Sequence, residues 1–139
     1  MSALTRILFP LPDYRRTPWS LLRWWESRRP AYNAIVGGTG LVTLSVVSVV
    51  GMLPPAAHPR LFEWPQVLVG VVVYGLMANV GYSLGWTAEA TMRLLWRDEA
   101  PDAGPALFRQ GLSFAVGLTL LPIPLVIFSW LARAVAHLF

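Results

Sequence analysis

Tyr74-Gly75-Leu76-Met77-Ala78-Asn79-Val80-Gly81-Tyr82-Ser83-Leu84-Gly85-Trp86 is the stretch on which the fold turns. It is apolar enough to sit in a bilayer, yet it carries Asn79, Tyr82 and Ser83, with small residues at Gly75, Ala78, Gly81 and Gly85. A helix surrounded by lipid has no use for that pattern, whereas a helix packed closely against other helices does. The uncharged run around it extends from Pro65 to Ala88, enough for a helix to cross a hydrocarbon core about 30 Å thick. Ala78, Gly81, Gly85 and Ala88 form a close-packing stripe that includes a Gly81-x-x-x-Gly85 match. Gly75, Asn79, Tyr82, Trp86, Glu89 and Arg93 form a more polar stripe beside it. Glu89 and Arg93 stand in the favourable i,i+4 order, so the helix is expected to continue beyond the bilayer to about Trp96.

Composition agrees with a membrane class. Of 139 residues, 55% are hydrophobic and 13% charged, about half the charged share of a soluble domain. Cysteine is absent, which excludes disulfides, iron–sulfur ligation and thiolate zinc sites. All 11 basic residues are arginine, which excludes Schiff-base chemistry and a P-loop. The net charge of +4 does not indicate nucleic acid, because the arginines flank apolar spans instead of forming a solvated basic domain.

Upstream, residues 1–30 read as a leader followed by an amphipathic helix. Ile7-Leu8-Phe9 is too short for a signal-peptide core, and Pro10 and Pro12 follow it. Thr17 and Pro18 are an N-cap and a first helical residue. The helix they start carries Trp19, Trp24, Trp25, Arg23, Arg28 and Arg29. Indoles and arginines prefer the headgroup level, so Trp19, Trp24, Trp25, Arg28 and Arg29 are expected to dock at the interface, on lipid or on another protein. Residues 31–139 form the membrane domain, with spans over about 31–53, 65–88 and 107–132. Gly37 and Gly40 belong to a small, polar seam on the first span. Pro54-Pro55 ends that span, and Pro122 and Pro124 should kink or interrupt the third. The fold class is therefore all-α: three transmembrane helices behind a Trp/Arg-rich interfacial helix. Six arginines precede the first span, and nine of 11 lie on the N-terminal side. The positive-inside rule makes that side cytoplasmic and the C-terminus periplasmic.

Chemistry is sparse. Gly38-x-Gly40 resembles part of a dinucleotide-binding turn, but Thr43 stands where the third small residue belongs, and no strand precedes it. His58 and His137 are isolated, and no metal or other cofactor is expected. Glu89 is the carboxylate closest to the membrane, and the plain reading of it is a group paired with Arg93 at the interface, ahead of a role in proton or ion passage. No serine has an aligned base. Asn79 is deep enough for interhelical hydrogen bonding.

Trp25-Glu26-Ser27-Arg28-Arg29-Pro30-Ala31-Tyr32-Asn33 and Ala78-Asn79-Val80-Gly81-Tyr82-Ser83-Leu84-Gly85-Trp86 resemble segments of a group of small bacterial three-span membrane proteins. Those proteins pair W-E-x-R-R-x-x-Y-N before span one with A-N-x-x-Y-x-L-G in span two. The resemblance covers about a fifth of the chain, implies the topology and carries no activity. It directs attention to Arg28, Arg29, Tyr32, Asn33, Asn79 and Tyr82. Spans one and two run antiparallel, so a polar cluster of Asn33, Tyr82, Glu89 and Arg93 is expected near the cytoplasmic end. Gly37, Gly40, Ala78, Asn79, Gly81, Tyr82 and Gly85 are the expected helix-packing or partner residues. The leading functional expectation is a non-catalytic accessory subunit of a larger bacterial inner-membrane complex, photosynthetic or respiratory, docking through its N-terminal segment. Its partners would be membrane lipids and other integral subunits, not nucleic acid. The alternative is a small homo-oligomeric channel or transporter with a path near Asn79, Tyr82 and Glu89.

Overall fold

The computed structural model describes residues 17–54, 64–96 and 102–138. The leader, with its expected docking role, and the loop holding His58, Arg60 and Glu63 lie outside the described residues. The order is α1 (Pro18–Glu26), α2 (Arg29–Gly51), α3 (Trp64–Trp96), α4 (Gly104–Leu120) and α5 (Pro122–Ala136). Three runs, Pro18–Gly51, Pro65–Trp96 and Gly104–Ala136, are long and apolar enough to cross a membrane.

Caps and prolines set the boundaries. Thr17 Oγ1 accepts from Ser20 N at 3.3 Å, and Pro18 opens α1 without wasting a donor. In a continuous helix Pro30 would have to donate to the carbonyl of Glu26, which it cannot do, and its ring would press on that carbonyl. The α-helical ladder is accordingly interrupted by a turn at Ser27 and Arg28, where Arg28 N donates to Trp25 O at 3.0 Å, before α2 begins. The same rule divides the third run. Leu118 O, which a residue 122 amide would have used, accepts instead from Leu121 N at 3.3 Å. The interruption expected at Pro122 and Pro124 is therefore confined to Leu121, and α5 resumes at once. Against the expected spans, α2 begins two residues earlier, α3 reaches Trp96 as expected and α4 begins at Gly104.

Cross-helix bonds fix the directions. Thr43 Oγ1 on α2 donates to Thr119 O on α4 at 2.9 Å, and Trp130 Nε1 on α5 donates to Pro54 O beyond α2 at 3.1 Å. The α4–α5 run is thus parallel to α2. Tyr32 OH donates to Ala78 O at 3.1 Å, while Tyr74 OH lies 3.1 Å from Ala115 O and hydrogen-bonds to Thr119 Oγ1; α3 is antiparallel to both. Thr43, Tyr74 and Thr119 join three helices at mid-span, each hydroxyl sheltering its proton from lipid. The chain is an all-α membrane protein of three spans.

The hydrophobic core gathers on the N-terminal side: Leu21, Trp25, Tyr32, Val36, Tyr82 and Phe108, with Ala115 deeper. Away from it α3 stands apart. Residues 68–73 are all exposed, and six successive helical positions cover the whole circumference. No described helix shields that part of α3 on any side.

Candidate functional site

Trp25 is the centre of the N-terminal cluster. It lies one turn beyond Leu21 on the inward face of α1, and both are buried. Its indole enters α3 at Gly85, where a Cβ would sit 2.7 Å from Trp25 Cη2 and 3.0 Å from Cζ3. Only glycine admits the ring at that depth. Tyr82 packs edge-on to the same indole with centroids 5.4 Å apart, and Phe108 of α4 does so at 6.2 Å. Tyr32 and Trp24 complete the group, against Tyr82 at 4.8 Å and Trp25 at 5.3 Å. These offset and edge-to-face geometries are the favourable ones for aromatic pairs.

The polar edge of the cluster is Glu89. Its side chain has no exposed surface. Oε2 accepts from Trp25 Nε1 at 2.8 Å and Oε1 from Arg93 Nη2 at 3.1 Å. The same guanidinium nitrogen reaches Asp102 Oδ1, also at 3.1 Å. Burying a carboxylate is costly unless it is paired and hydrogen-bonded, and here it is both. It also lies against the first turn of α4: a Cβ on Gly104 would meet Oε2 at 2.5 Å. Ala103 supplies no side-chain cap and the first turn of α4 holds no acidic residue, so the carboxylate adds negative charge at that helix N-terminus, beside Asp102 just ahead of it. Tyr82 OH donates to the carbonyl of Trp25. Glu89 and Tyr82 therefore hold the same tryptophan by its two polar ends.

A second arm runs along the turn between α1 and α2. Arg29 grips Glu26 through Nε at 2.9 Å and Nη2 at 2.7 Å. It reaches across to Asn79 Oδ1 and Ser83 Oγ, each at 3.4 Å, with its guanidinium 5.0 Å over the Tyr82 ring. Arg28 lies 3.8 Å over the Trp24 ring and donates to Trp24 O at 2.7 Å.

These positions revise several expectations. Trp25 and Arg28 are buried and hold the fold from inside, so they are not interfacial docking groups; the open backbone at Gly85 and the acceptor on Glu89 draw the indole inward. Trp24 is half-buried, Arg29 bridges helices, and Trp19, 77% exposed, alone keeps a fully outward indole among the three. The expected polar cluster is assembled around Tyr82, Glu89 and Arg93, but Trp25 joins them, and Asn33 is exposed elsewhere on α2. The glycines divide. Gly85 is filled by Trp25 and Gly40 meets Thr119 at 3.8 Å, while Gly37 and Gly81 have nothing within 4 Å of a Cβ position. Among the described residues Gly37 and Gly81 are not packing residues, because no described helix crosses them. Ala78 is half-buried and offers its carbonyl to Tyr32. Asn79 lines the groove between α2 and α3, whereas Tyr82 and Glu89 are enclosed.

Sequence reasoning missed Phe108, Asp102, Gly104, Thr43 and Thr119. The inward i,i+4 pair Leu21 and Trp25 was the available sign that α1 has a buried face. Nothing in the spacing marked Asp102 or Gly104 as neighbours of Glu89. Among the described residues no group of three or more His, Asp or Glu side chains could hold a metal ion.

The difference between Gly85 and Gly81 is directly testable. Gly85→Ala must displace Trp25 and is expected to cost about 1–3 kcal/mol, whereas Gly81→Ala should add about 0.5–1 kcal/mol through helix propensity. Equilibrium unfolding in mixed detergent micelles reads both, and equal shifts would contradict the placement of Trp25.

Fold and site together define a three-span membrane protein stapled at one end by a Trp–Glu–Arg cluster. No family model, curated protein or solved structure matches the chain.

Proposed function

We propose that this chain is a non-catalytic structural subunit of a larger assembly in the bacterial inner membrane. Its N-terminus is cytoplasmic and its C-terminus periplasmic, in keeping with nine of 11 arginines on the N-terminal side. The observation that carries the reading is the uncovered helix surface. Gly81 on α3 and Gly111 on α4 flank a shared groove and, among the described residues, have nothing within 4 Å of a Cβ position. Met77 and Phe114 beside them are 63% and 73% exposed. Glycine in a helix costs stability, and in a span it is useful where another backbone approaches closely. The bare stretch of α3 over residues 68–73 continues that surface. The stapled cluster supports the same role, since it gives α1 and the spans a fixed relative placement without help from the partner.

Purification in mild detergent followed by native mass measurement tests the proposal. The wild-type chain should co-purify with unlike integral polypeptides. Gly81→Leu and Gly111→Leu, which fit the isolated fold, should keep helicity and release those partners. A pure homo-oligomer, or partners retained by both leucine variants, would sink it.

A further inference from the structure

We infer that the Trp25–Glu89–Arg93 cluster stands outside the hydrocarbon as the core of a three-helix cap, and that α3 leaves the membrane near Tyr82, ahead of the end of its uncharged run at Ala88. This rests on the three-span fold and not on the subunit reading. The bonds between helices give the heights. Arg29 on α2 reaches Asn79 and Ser83 on α3, and Tyr32 meets Ala78 one turn further in. Tyr74 meets Ala115 and Thr119 on the antiparallel α4, so the climb along α3 from Tyr74 to Tyr82 corresponds on α4 to a return to about Arg109. Arg29, Tyr82 and Arg109 therefore share one level. From there α2 carries no charge through Gly51, about 33 Å at the helical rise, which matches a hydrocarbon core of about 30 Å. The α4–α5 run carries none until Arg133. Among the described residues every arginine and carboxylate except Arg133 lies at the shared level or beyond it. Beyond it α3 has no charge before Glu89, so its own sequence does not mark the exit and its neighbours do. Glu89 is about 10 Å past Tyr82 along the axis, more than the roughly 5–8 Å of headgroups on one side of a bilayer.

Packing draws the same division independently. Lipid tails are as apolar as leucine, so helices in hydrocarbon gain nothing by hiding apolar side chains from them. In water that burial is the main driving force. Leu21, Trp25, Tyr82 and Phe108 are buried at the shared level or beyond it. The buried apolar residues below it, Tyr32, Val36 and Ala115, lie within about two turns of it. Deeper still, residues 68–73 of α3 are all exposed. Apolar side chains are gathered together where water surrounds the helices and left open where lipid does. The cap accordingly folds on the terms of a soluble protein, while the spans below it do not.

The chain has no cysteine, so single-cysteine variants report depth without background. Thr91→Cys and Leu94→Cys lie beyond Glu89, Val72→Cys lies in the middle of α3, and Leu84→Cys lies between them; all four side chains are exposed, and circular dichroism checks each fold. Each full-length variant is labelled with an environment-sensitive fluorophore and reconstituted in phosphatidylcholine vesicles, with iodide on both faces or with nitroxide lipids. Iodide should remove most of the emission at positions 91 and 94, and mid-chain nitroxides should leave it. Position 72 should show the reverse. Position 84, which the uncharged run alone assigns to hydrocarbon, should be quenched more by headgroup nitroxides than by mid-chain ones. Mid-chain quenching at 91 and 94 as strong as at 72 would put hydrocarbon beyond Glu89 and overturn the inference. Mid-chain quenching at 84 equal to that at 72 would overturn the exit near Tyr82.

Discussion

Glu89→Ala is expected to lower the unfolding free energy by about 3–5 kcal/mol, the usual cost of removing one partner from a buried ion pair. Three losses coincide. Trp25 Nε1 would face a void in place of its acceptor at 2.8 Å. Arg93 would keep only Asp102, and the first turn of α4 would lose the negative charge that Ala103 cannot replace. Glu89→Gln keeps the shape and one acceptor for the indole but gives up the charge, so it should cost less, about 1.5–3 kcal/mol for hydrogen bonds to a charged group. Unfolding by titrated denaturing detergent, followed by circular dichroism, measures both. If alanine and glutamine variants were as stable as wild type, Glu89 would be a bystander and the assignment of α4's N-terminus to it would fail. The same logic applies to Gly104, since any side chain there meets Oε2.

Much of this architecture is readable without coordinates, for local reasons. Uncharged runs locate the spans, and Pro18, Pro30 and Pro122 locate their breaks, because a missing amide proton acts on its own helix. Glu89 and Arg93 are visible as a pair since four residues on a helix bring side chains together. What is not readable is which side chain enters which gap. Gly81 and Gly85 share one stripe, yet Trp25 fills the second and nothing among the described residues fills the first. Periodicity assigns a residue to a face and is silent about the occupant of that face. The Trp25–Glu89 bond spans 64 residues, and its existence depends on how the turn at Ser27 and Arg28 sets α1 against α3. Tryptophan beside arginine reads equally well as a headgroup anchor, and for Trp19 that reading agrees with its exposure. One turn and a half later the same residue type goes inward, because the neighbouring helix offers it both room and an acceptor.

Trp25→Ala is expected to be the other most damaging change, again about 3–5 kcal/mol, because it leaves a cavity lined by Tyr82, Phe108 and Gly85 and strips Glu89 of a donor. The indole is 1% exposed, so little of its volume can be replaced by lipid or detergent without opening the cluster. Trp25→Phe keeps an aromatic ring in the cluster of Tyr82 and Phe108 and removes the N–H together with the volume of the second ring, so the N–H term is read from the coupling and not from the single variant. A double-mutant cycle of Trp25→Phe with Glu89→Gln then isolates the bond itself, with an expected coupling of about 1.5–3 kcal/mol for a donor on a charged acceptor. Additive losses in that cycle would mean that Trp25 stabilises by packing alone. A coupling of the expected size would mean that the bond from Trp25 Nε1 to Glu89, beside that from Tyr82 OH to Trp25 O, holds α1 to α3 in addition to shape. The bond also specifies orientation, since the indole can satisfy Glu89 only when its ring lies over Gly85. A tryptophan turned outward, as at Trp19, would leave a carboxylate enclosed without its donor, so the inward state is selected by the cost of the alternative.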